Sequence, residues 1–183
     1  MIRTSYSNCD LNYGNIIAGI TIAINPKKIV EIGILDGYSL NTFIENSSPQ
    51  TEIYAYDLFD KFIGNHSDKD FLKARFKTFK NVNIEFGDFY ELHKNIDNID
   101  ILHIDIANNG DVLEFVIQNY LQKLSKNGII LFEGGSHERD NVPWMNTYQK
   151  PKIEPIIKKY NSNELCIKVI GTFPSLTLIK RYN

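Results

Sequence analysis

The sequence has few of the features that mark secreted, membrane-embedded or metal-clustered proteins. Its 183 residues include only two cysteines, Cys9 and Cys166, which lie far apart and form no C-x-x-C pair. We therefore expect reduced thiols rather than a disulfide framework or a cysteine metal site. No apolar run reaches the ~18 residues that a membrane span needs, and the start of the chain lacks the apolar core of a signal peptide. These absences predict a cytoplasmic protein.

An excess of charge of one sign is also missing. The formal net charge is −2 and the sequence pI is about 6.1, so there is no general electrostatic reason to expect a nucleic-acid partner. The hydrophobic fraction of 43% and the charged fraction of 23% are those of an ordinary globular protein. We expect a single domain over residues 1–183 that acts on a small molecule, with neither nucleic acid nor membrane as partner.

The most informative stretch is KIVEIGILDGYSLNT, residues 28–42. It begins with an apolar run too short for a helix, which indicates a buried strand. Gly33 and Gly37 follow, and apolar residues then recur at helical spacing. A strand, a glycine turn and a helix together let backbone N–H groups approach a ligand closely. A second strand ends on Asp57, about 24 residues beyond Gly33 and near the usual position of a ribose-binding carboxylate. The pattern predicts a nucleotide-type cofactor site.

Strand-like and helix-like patterns alternate along the rest of the chain. Strands are expected at 52–56, 82–86, 99–105 and 129–133, and helices at 14–25, 70–79, 89–94, 111–124 and 155–160. Two further strands, 165–170 and 176–180, are joined by a short connection and are expected to pair antiparallel. The pattern predicts an α/β fold: one Rossmann-like, doubly wound sheet, mostly parallel, with an antiparallel C-terminal hairpin strand.

The residues at the ends of the five expected parallel strands are mostly acidic. They are Gly33, Asp57, Asp88, Asp105 and Glu133. In an open α/β sheet the ligand lies at the carboxyl ends of the strands. Burying four carboxylates in a hydrophobic core would be costly, so this pattern predicts a polar site at that edge.

Two segments resemble a known family. VEIGILDGYS resembles the first motif of class I S-adenosylmethionine-dependent methyltransferases, in the E-x-G-x-x-x-G-Y-S form of the catechol O-methyltransferase-like branch. IDILHIDIANNGDVLEFVIQNYLQKLSKNGIILFEGG resembles the fourth strand, helix and fifth strand of that superfamily. The resemblance extends over roughly residues 12–182. It implies S-adenosyl-L-methionine as the cofactor.

The resemblance also implies roles for individual residues. Ser39 would donate to the methionine carboxylate, and Asp57 would accept from both ribose hydroxyls, since a carboxylate has acceptor capacity for two donors. Asp105 would lie by the amino group and the transferring methyl. The other positions implied in cofactor binding are Glu31, Gly33 and Gly37 beside the methionine moiety, Leu58 or Phe59 on the adenine face, and Asp88 with Phe89 at the adenine edge.

Whether a divalent metal is needed depends on a departure from the family pattern. Metal-dependent relatives hold magnesium with an aspartate after strand four and an Asp-Asn pair after strand five. Here Asp105 is present, but strand five ends in Glu133-Gly134. Asn108 or Asn109 could supply an oxygen ligand, although a near-octahedral magnesium site is demanding. A metal stays possible, but we favour methyl transfer without one.

Residues 134–150 are expected to form a substrate-side loop, because 134–144 has no regular period and is polar. His137 is the best candidate for the catalytic base, since an unperturbed imidazole titrates near pH ~6.5. Glu133 and Asp105 are the next candidates for this role.

Two other residues of the loop are expected to contact the substrate. Arg139 would pair with an anionic group, and Trp144 would form a wall of the pocket. The alternative is a closing lid whose polar residues meet only water. Outside the loop, His103 is expected as a hydrogen-bonded core histidine and His66 as a solvated one.

Three functions remain open from the sequence. The first is O-methylation of a small molecule, a sugar or another hydroxylated metabolite. The second is a methyltransferase-like domain that binds the cofactor or a nucleotide-sugar without methyl transfer. The third, a nicotinamide-dependent oxidoreductase, is weakened because Leu35 interrupts a G-x-G-x-x-G fingerprint.

Overall fold

The sheet has seven strands, and the first five in chain order run parallel. The computed structural model describes residues 13–61 and 65–182. The strands are β1 (Lys28–Ile32), β2 (Glu52–Asp57), β3 (Val82–Phe86), β4 (Ile99–Ile104), β5 (Leu124–Glu133), β6 (Leu165–Ile170) and β7 (Leu176–Arg181). Their order across the sheet is β3-β2-β1-β4-β5-β7-β6, and β7 is antiparallel to both β5 and β6. The expected sheet is confirmed.

Helices cover both faces of this sheet. They are α1 (Tyr13–Ile24), α2 (Tyr38–Asn46), α3 (Lys69–Phe76), α4 (Phe89–Leu92), α5 (Gly110–Asn119), α6 (His137–Asp140), α7 (Pro143–Thr147) and α8 (Ile153–Tyr160). Because successive strand residues point to opposite sides, Ile29 packs with α1, α2 and α3, while Val30 packs with α4, α5 and α8. Within the described ranges no helix is long and apolar enough to cross a bilayer. Residues 1–12 of the expected N-terminal segment lie outside those ranges.

The expected irregular loop is wrong in one respect, because residues 134–144 contain helix α6 and the start of α7. The Ser136 hydroxyl accepts from the backbone N–H of Arg139 at 3.1 Å, which caps α6. Pro143 occupies the first turn of α7, where its fixed φ suits a helix start. Ser136 and Pro143 are helix-start signals that can be seen in the sequence. Helices α6 and α7 are too short, however, to show an apolar period.

The boundary between α5 and β5 also differs from the expectation. The helix ends at Asn119 rather than at residue 124, and β5 begins at Leu124. Gly128, which precedes the strand expected at 129–133, lies inside β5. A Cβ atom at Gly128 would collide with the carbonyl oxygen of Ile99 on the neighbouring strand. The glycine therefore serves the close approach of two strands.

Segment 150–152, which follows α7, is held tightly against the start of α5. The N–H of Gly110 donates to the carbonyl of Pro151 at 2.7 Å. On the other side, the Asp140 carboxylate accepts from the N–H groups of Ile153 and Glu154 at 2.9 and 2.8 Å and caps α8. The segment is thus fixed at both of its ends.

The close packing of this segment on α5 gives a stability prediction. A Cβ atom at Gly110 would lie 2.5 Å from the carbonyl oxygen of Lys152. Gly110→Ala should therefore lower the free energy of unfolding by about 1–3 kcal/mol through overpacking, measured by urea denaturation. Gly19→Ala is the matched control: it lies inside α1 with no atom within 4 Å of its added methyl. It should raise stability by up to about 1 kcal/mol. Equal effects of the two substitutions would contradict the packing argument.

Candidate active site

A cleft of about 710 Å³ opens at the carboxyl ends of the parallel strands. Three of the acidic strand ends line it, namely Asp57 after β2, Asp88 after β3 and Asp105 after β4, together with Gly33 after β1. The fourth acidic strand end, Glu133, does not line the cleft. The sheet therefore brings together most of the residues predicted for cofactor binding, whereas Asp105 alone of the predicted catalytic and substrate residues lines the cleft.

The floor of the cleft depends on the close approach of β1 and β4. Gly33 has φ +92°, and a Cβ atom there would collide with the backbone carbonyl of Asp105. The N–H of Asp105 donates to the carbonyl of Ile32 at 3.0 Å, which ties the two strand ends together. Gly37 also has a positive φ, +77°, but it faces Phe76 and does not line the cleft. Of the two glycines, only Gly33 is placed to approach a ligand.

A buried polar chain supports Ser39 from beneath the cleft. Ser39 lines the cleft, and its hydroxyl donates to Glu31 Oε1. The same carboxylate oxygen lies 3.0 Å from His103 Nδ1, and both side chains are fully buried. Glu31 and His103 are register partners on β1 and β4, so they point to the same face. Among the residues that the structure describes, none donates a hydrogen bond to the buried Glu31 Oε2. Glu31 therefore orients Ser39 rather than lining the cleft itself.

The Asp57 carboxylate is held in one orientation at the wall of the cleft. Its Oδ2 accepts from the N–H of Ile34 at 2.8 Å. Its Oδ1 accepts from the N–H of Phe59 at 3.1 Å and from Asn65 Nδ2 at 2.6 Å. Since a carboxylate has about four lone-pair sites, acceptor capacity remains for a ligand. Of the two candidates for the adenine face, Leu58 lines the cleft, whereas Phe59 is buried in the core.

Asp88 and Phe89, the two residues predicted for the adenine edge, both line the cleft. The Asp88 carboxylate caps α4 by accepting from the N–H of Tyr90 at 2.9 Å. The Phe89 ring stacks on Tyr120 with 5.4 Å between centroids and 17° between planes. The Tyr120 hydroxyl also donates to the carbonyl of Phe89. This part of the wall is fixed by aromatic packing.

The residues predicted for the acceptor side are arranged differently. Glu133 and Arg139 form a buried ion pair, with Arg139 Nε 2.7 Å from Oε1 and Nη2 2.8 Å from Oε2. The Arg139 guanidinium also lies over the Trp144 ring, 5.3 Å from its centroid. Burial raises the pKa of Glu133 to about 7; the Arg139 hydrogen bonds oppose this shift and the nearby Asp105 charge adds to it. None of Glu133, Arg139 and Trp144 lines the cleft.

Two adjacent glycines with positive φ lie in the chain between the two residues of the ion pair. Gly134 has φ +106° and Gly135 has φ +113°. A Cβ atom on Gly135 would collide with the Thr177 side chain on β7. His137 follows them on the outside of the protein, with a side chain 77% exposed and Nδ1 3.8 Å from the Glu154 carboxylate. It is absent from the cleft lining, so its assignment as the base has no geometric support.

Comparison with known families assigns the chain. The family described as a methyltransferase domain matches residues 30–133, more than half of the 183 residues. The chain belongs to this methyltransferase family. The matched region begins in β1 and ends with β5, so it contains every strand end that lines the cleft. It does not contain residues 134–150. No curated protein matches this methyltransferase in sequence.

Several solved methyltransferases share the fold. A methyltransferase from Podospora anserina bound to S-adenosylhomocysteine is 21% identical over 93% of this chain and 78% of that chain, with a TM-score of 0.66. The O-methyltransferase TomG from Streptomyces achromogenes, in complex with S-adenosylmethionine, is 13% identical over 98% and 86%, with a TM-score of 0.71. An O-methyltransferase from Bacillus cereus in complex with S-adenosylhomocysteine is 16% identical over 94% and 80%, with a TM-score of 0.66. At these identities the likeness is one of fold.

The asparagines considered as metal ligands have structural partners in this methyltransferase. Asn108 Nδ2 donates to the carbonyls of Ile104 and Glu133, at 2.9 Å each, and so joins the ends of β4 and β5. The Asn109 side-chain oxygen accepts from the N–H of Asp111 at 2.9 Å and caps α5. Among residues 13–61 and 65–182, no group of three or more His, Cys, Asp or Glu side chains is placed to hold a metal ion. Asn108 and Asn109 therefore serve to join strands and to cap a helix in the described part of the chain.

Several residues that line the cleft were not predicted from the sequence. Tyr38 lies within the quoted first motif, and Tyr90 directly follows the predicted Asp88-Phe89 pair, so their neighbours gave a signal. Asn65, His66, Asn109 and Lys150 also line it. The first two lie in a polar loop with no periodic signal, and His66 had been expected to be solvated. Lys150 is the last residue of segment 134–150, which was predicted to form the acceptor side.

The buried Glu31–His103 pair gives a second stability prediction. Removing one partner leaves the other buried and uncompensated, which typically costs about 3–5 kcal/mol. His103→Leu should lower the free energy of unfolding by about 3 kcal/mol, measured by urea denaturation. In the double variant Glu31→Gln with His103→Leu, the buried carboxylate is gone, so part of this loss should be recovered. Strictly additive losses would show that the two side chains are not coupled.

Proposed function

We propose that the protein is an S-adenosylmethionine-dependent methyltransferase that acts on a hydroxyl group of a small molecule, such as a sugar or another hydroxylated metabolite. The observation that carries this proposal is the Asp57 carboxylate, held by three donors at the wall of a cleft in a member of a methyltransferase family. Bound S-adenosylmethionine and S-adenosylhomocysteine in structures of the same fold support the cofactor. Two of those structures carry the name O-methyltransferase.

The residues of the cleft fit the parts of this cofactor. Gly33 leaves room at the turn after β1 that any Cβ atom would fill. The backbone N–H of Ser39, in the first turn of α2, would donate to the methionine carboxylate. Asp57, with one acceptor site left beside its three protein donors, would accept from a ribose hydroxyl. Leu58 and Phe89 line the part of the cleft that would take the adenine. When bound, the cofactor supplies an electrophilic methyl group on its sulfonium.

The chain contributes positioning and a proton acceptor. Methyl transfer is an in-line displacement, so holding donor and acceptor in line supplies much of the rate. An acceptor hydroxyl must also lose its proton. We propose Asp105 for this role, because it is the one of the three predicted bases that lines the cleft. Glu133 is bound to Arg139, and His137 lies on the surface.

The other two functions receive less support. Membership of a methyltransferase family favours methyl transfer over nicotinamide-dependent oxidation. A domain that binds the cofactor without methyl transfer would not need a proton acceptor such as Asp105 in the cleft. A nucleic-acid acceptor is disfavoured by the formal net charge of −2.

Cofactor binding can be tested directly by calorimetry. The protein should bind S-adenosylmethionine and S-adenosylhomocysteine but not NAD or NADP. Asp57→Ala should weaken both affinities at least tenfold, because a charge-assisted hydrogen bond contributes about 1.5–3 kcal/mol. Asp60→Ala is the matched control, since its carboxylate is 82% exposed and lies outside the cleft lining. Unchanged affinity in Asp57→Ala would remove this residue from the site.

The assignment of the base can be tested with two variants. Hydroxylated metabolites are first screened for methylation with radiolabelled S-adenosylmethionine. On an accepted substrate, Asp105→Asn should lower kcat by roughly 10²–10⁴-fold, while His137→Asn should stay within about twofold of the wild type. S-adenosylhomocysteine affinity, measured in parallel, separates a loss of chemistry from a loss of cofactor. A large fall in kcat for His137→Asn would restore the imidazole as the base.

A further inference from the structure

We propose that Lys150 binds an oxyanion, a carboxylate or a phosphate group, on the methyl acceptor. This inference rests on the proposed function and adds the chemical class of the substrate. Lys150 lines the cleft, and its side chain carries the only ammonium or guanidinium among the described lining residues. Its exposed ammonium forms no hydrogen bond or ion pair within the described parts of the chain. A cation is therefore available in an otherwise acidic cleft.

The position of Lys150 is fixed by its neighbours. Its backbone N–H donates to the carbonyl of Met145 within α7 at 2.9 Å. The next residue, Pro151, accepts from the N–H of Gly110 at 2.7 Å, so segment 150–152 rests on the first turn of α5. Asn109, the N-cap of α5, lines the cleft together with Lys150. The backbone position of Lys150 is therefore fixed, although its side chain is long.

Lys150 belongs to a segment on the opposite face of the sheet from Ser39, the expected partner of the cofactor carboxylate. Ser39, which would receive that carboxylate, begins α2, and α2 packs on the same face as α1 and α3. Lys150 rests on α5, which packs on the other face. The cofactor therefore already has a partner for its carboxylate elsewhere, and Lys150 is left for the second substrate.

The charges of the cleft explain why the acceptor would need this lysine. Asp57, Asp88 and Asp105 line the cleft and would repel an anionic acceptor. A neutral acceptor meets no such repulsion and gains little from a cation. The Lys150 ammonium offsets part of this repulsion. It also orients the acceptor, because opposite charges across an interface fix the relative position of the two partners. Lys150 is thus suited to an acceptor that carries its anionic group away from the reacting hydroxyl.

Binding of simple probes tests this proposal without knowledge of the natural acceptor. Glucose 6-phosphate, glucuronate and glucose are titrated into the protein with and without saturating S-adenosylhomocysteine, and binding is followed by ligand-observed NMR. We expect the two anionic sugars to bind and glucose to bind at least tenfold more weakly. Lys150→Gln should weaken the anionic probes roughly tenfold, whereas Lys150→Arg should retain them. The two anionic probes distinguish a phosphate from a carboxylate preference.

Lys152→Gln is the matched control, because it removes the same charge from the same segment. Lys152 lies outside the cleft lining, and its ammonium already donates to Asn141 Oδ1 at 2.8 Å. Equal weakening by Lys150→Gln and Lys152→Gln, or failure of both anionic sugars to bind at millimolar concentration, would overturn the proposal. S-adenosylhomocysteine affinity should be unchanged in Lys150→Gln. Failure of the wild type to bind S-adenosylhomocysteine would instead count against the proposed function.

Discussion

The cleft of this methyltransferase depends on one backbone contact, the approach of Gly33 to Asp105. The positive φ of Gly33 and its missing side chain let the end of β1 lie directly against the end of β4. A side chain there would separate the two strand ends and move Asp105 relative to Asp57. Hydrogen bonds from the next strand reinforce the arrangement, since the N–H of Gly33 donates to the carbonyl of Tyr56 at 2.9 Å. The geometry of the cofactor part of the site is therefore largely a property of the backbone.

The segment that follows β5 depends instead on a side-chain pair. Glu133 and Arg139 satisfy each other inside the protein, and the short helices α6 and α7 fold around them. Glu133 and Arg139, which a flexible loop would leave exposed, therefore stabilise the fold. Within the described residues, Arg139 Nη1 is buried without a hydrogen-bond partner, and an unpaired buried donor of this kind lowers stability.

This division explains which features could be predicted from the sequence. Strand ends follow from apolar periodicity, and parallel strands place their carboxyl ends at one edge, so Asp57, Asp88 and Asp105 could be predicted to lie together. Whether a polar side chain faces a ligand or another side chain depends on its tertiary partner. Nothing in the local pattern distinguishes Arg139, which is buried on Glu133, from Lys150, which lines the cleft. His137 lies shortly after β5 in the sequence, which suggested a place in the site. The first turn of α6 directs its side chain to the surface instead.

The two adjacent glycines after β5 separate these two parts of the chain. Gly134 and Gly135 adopt backbone conformations that other residues rarely reach, and they lie directly after the region matched by the methyltransferase family. The match to the methyltransferase family ends at Glu133, so changes before the glycines fall in the region that the family shares, whereas changes after them fall outside that region. A junction of this kind lets the sequences of the two parts diverge at different rates.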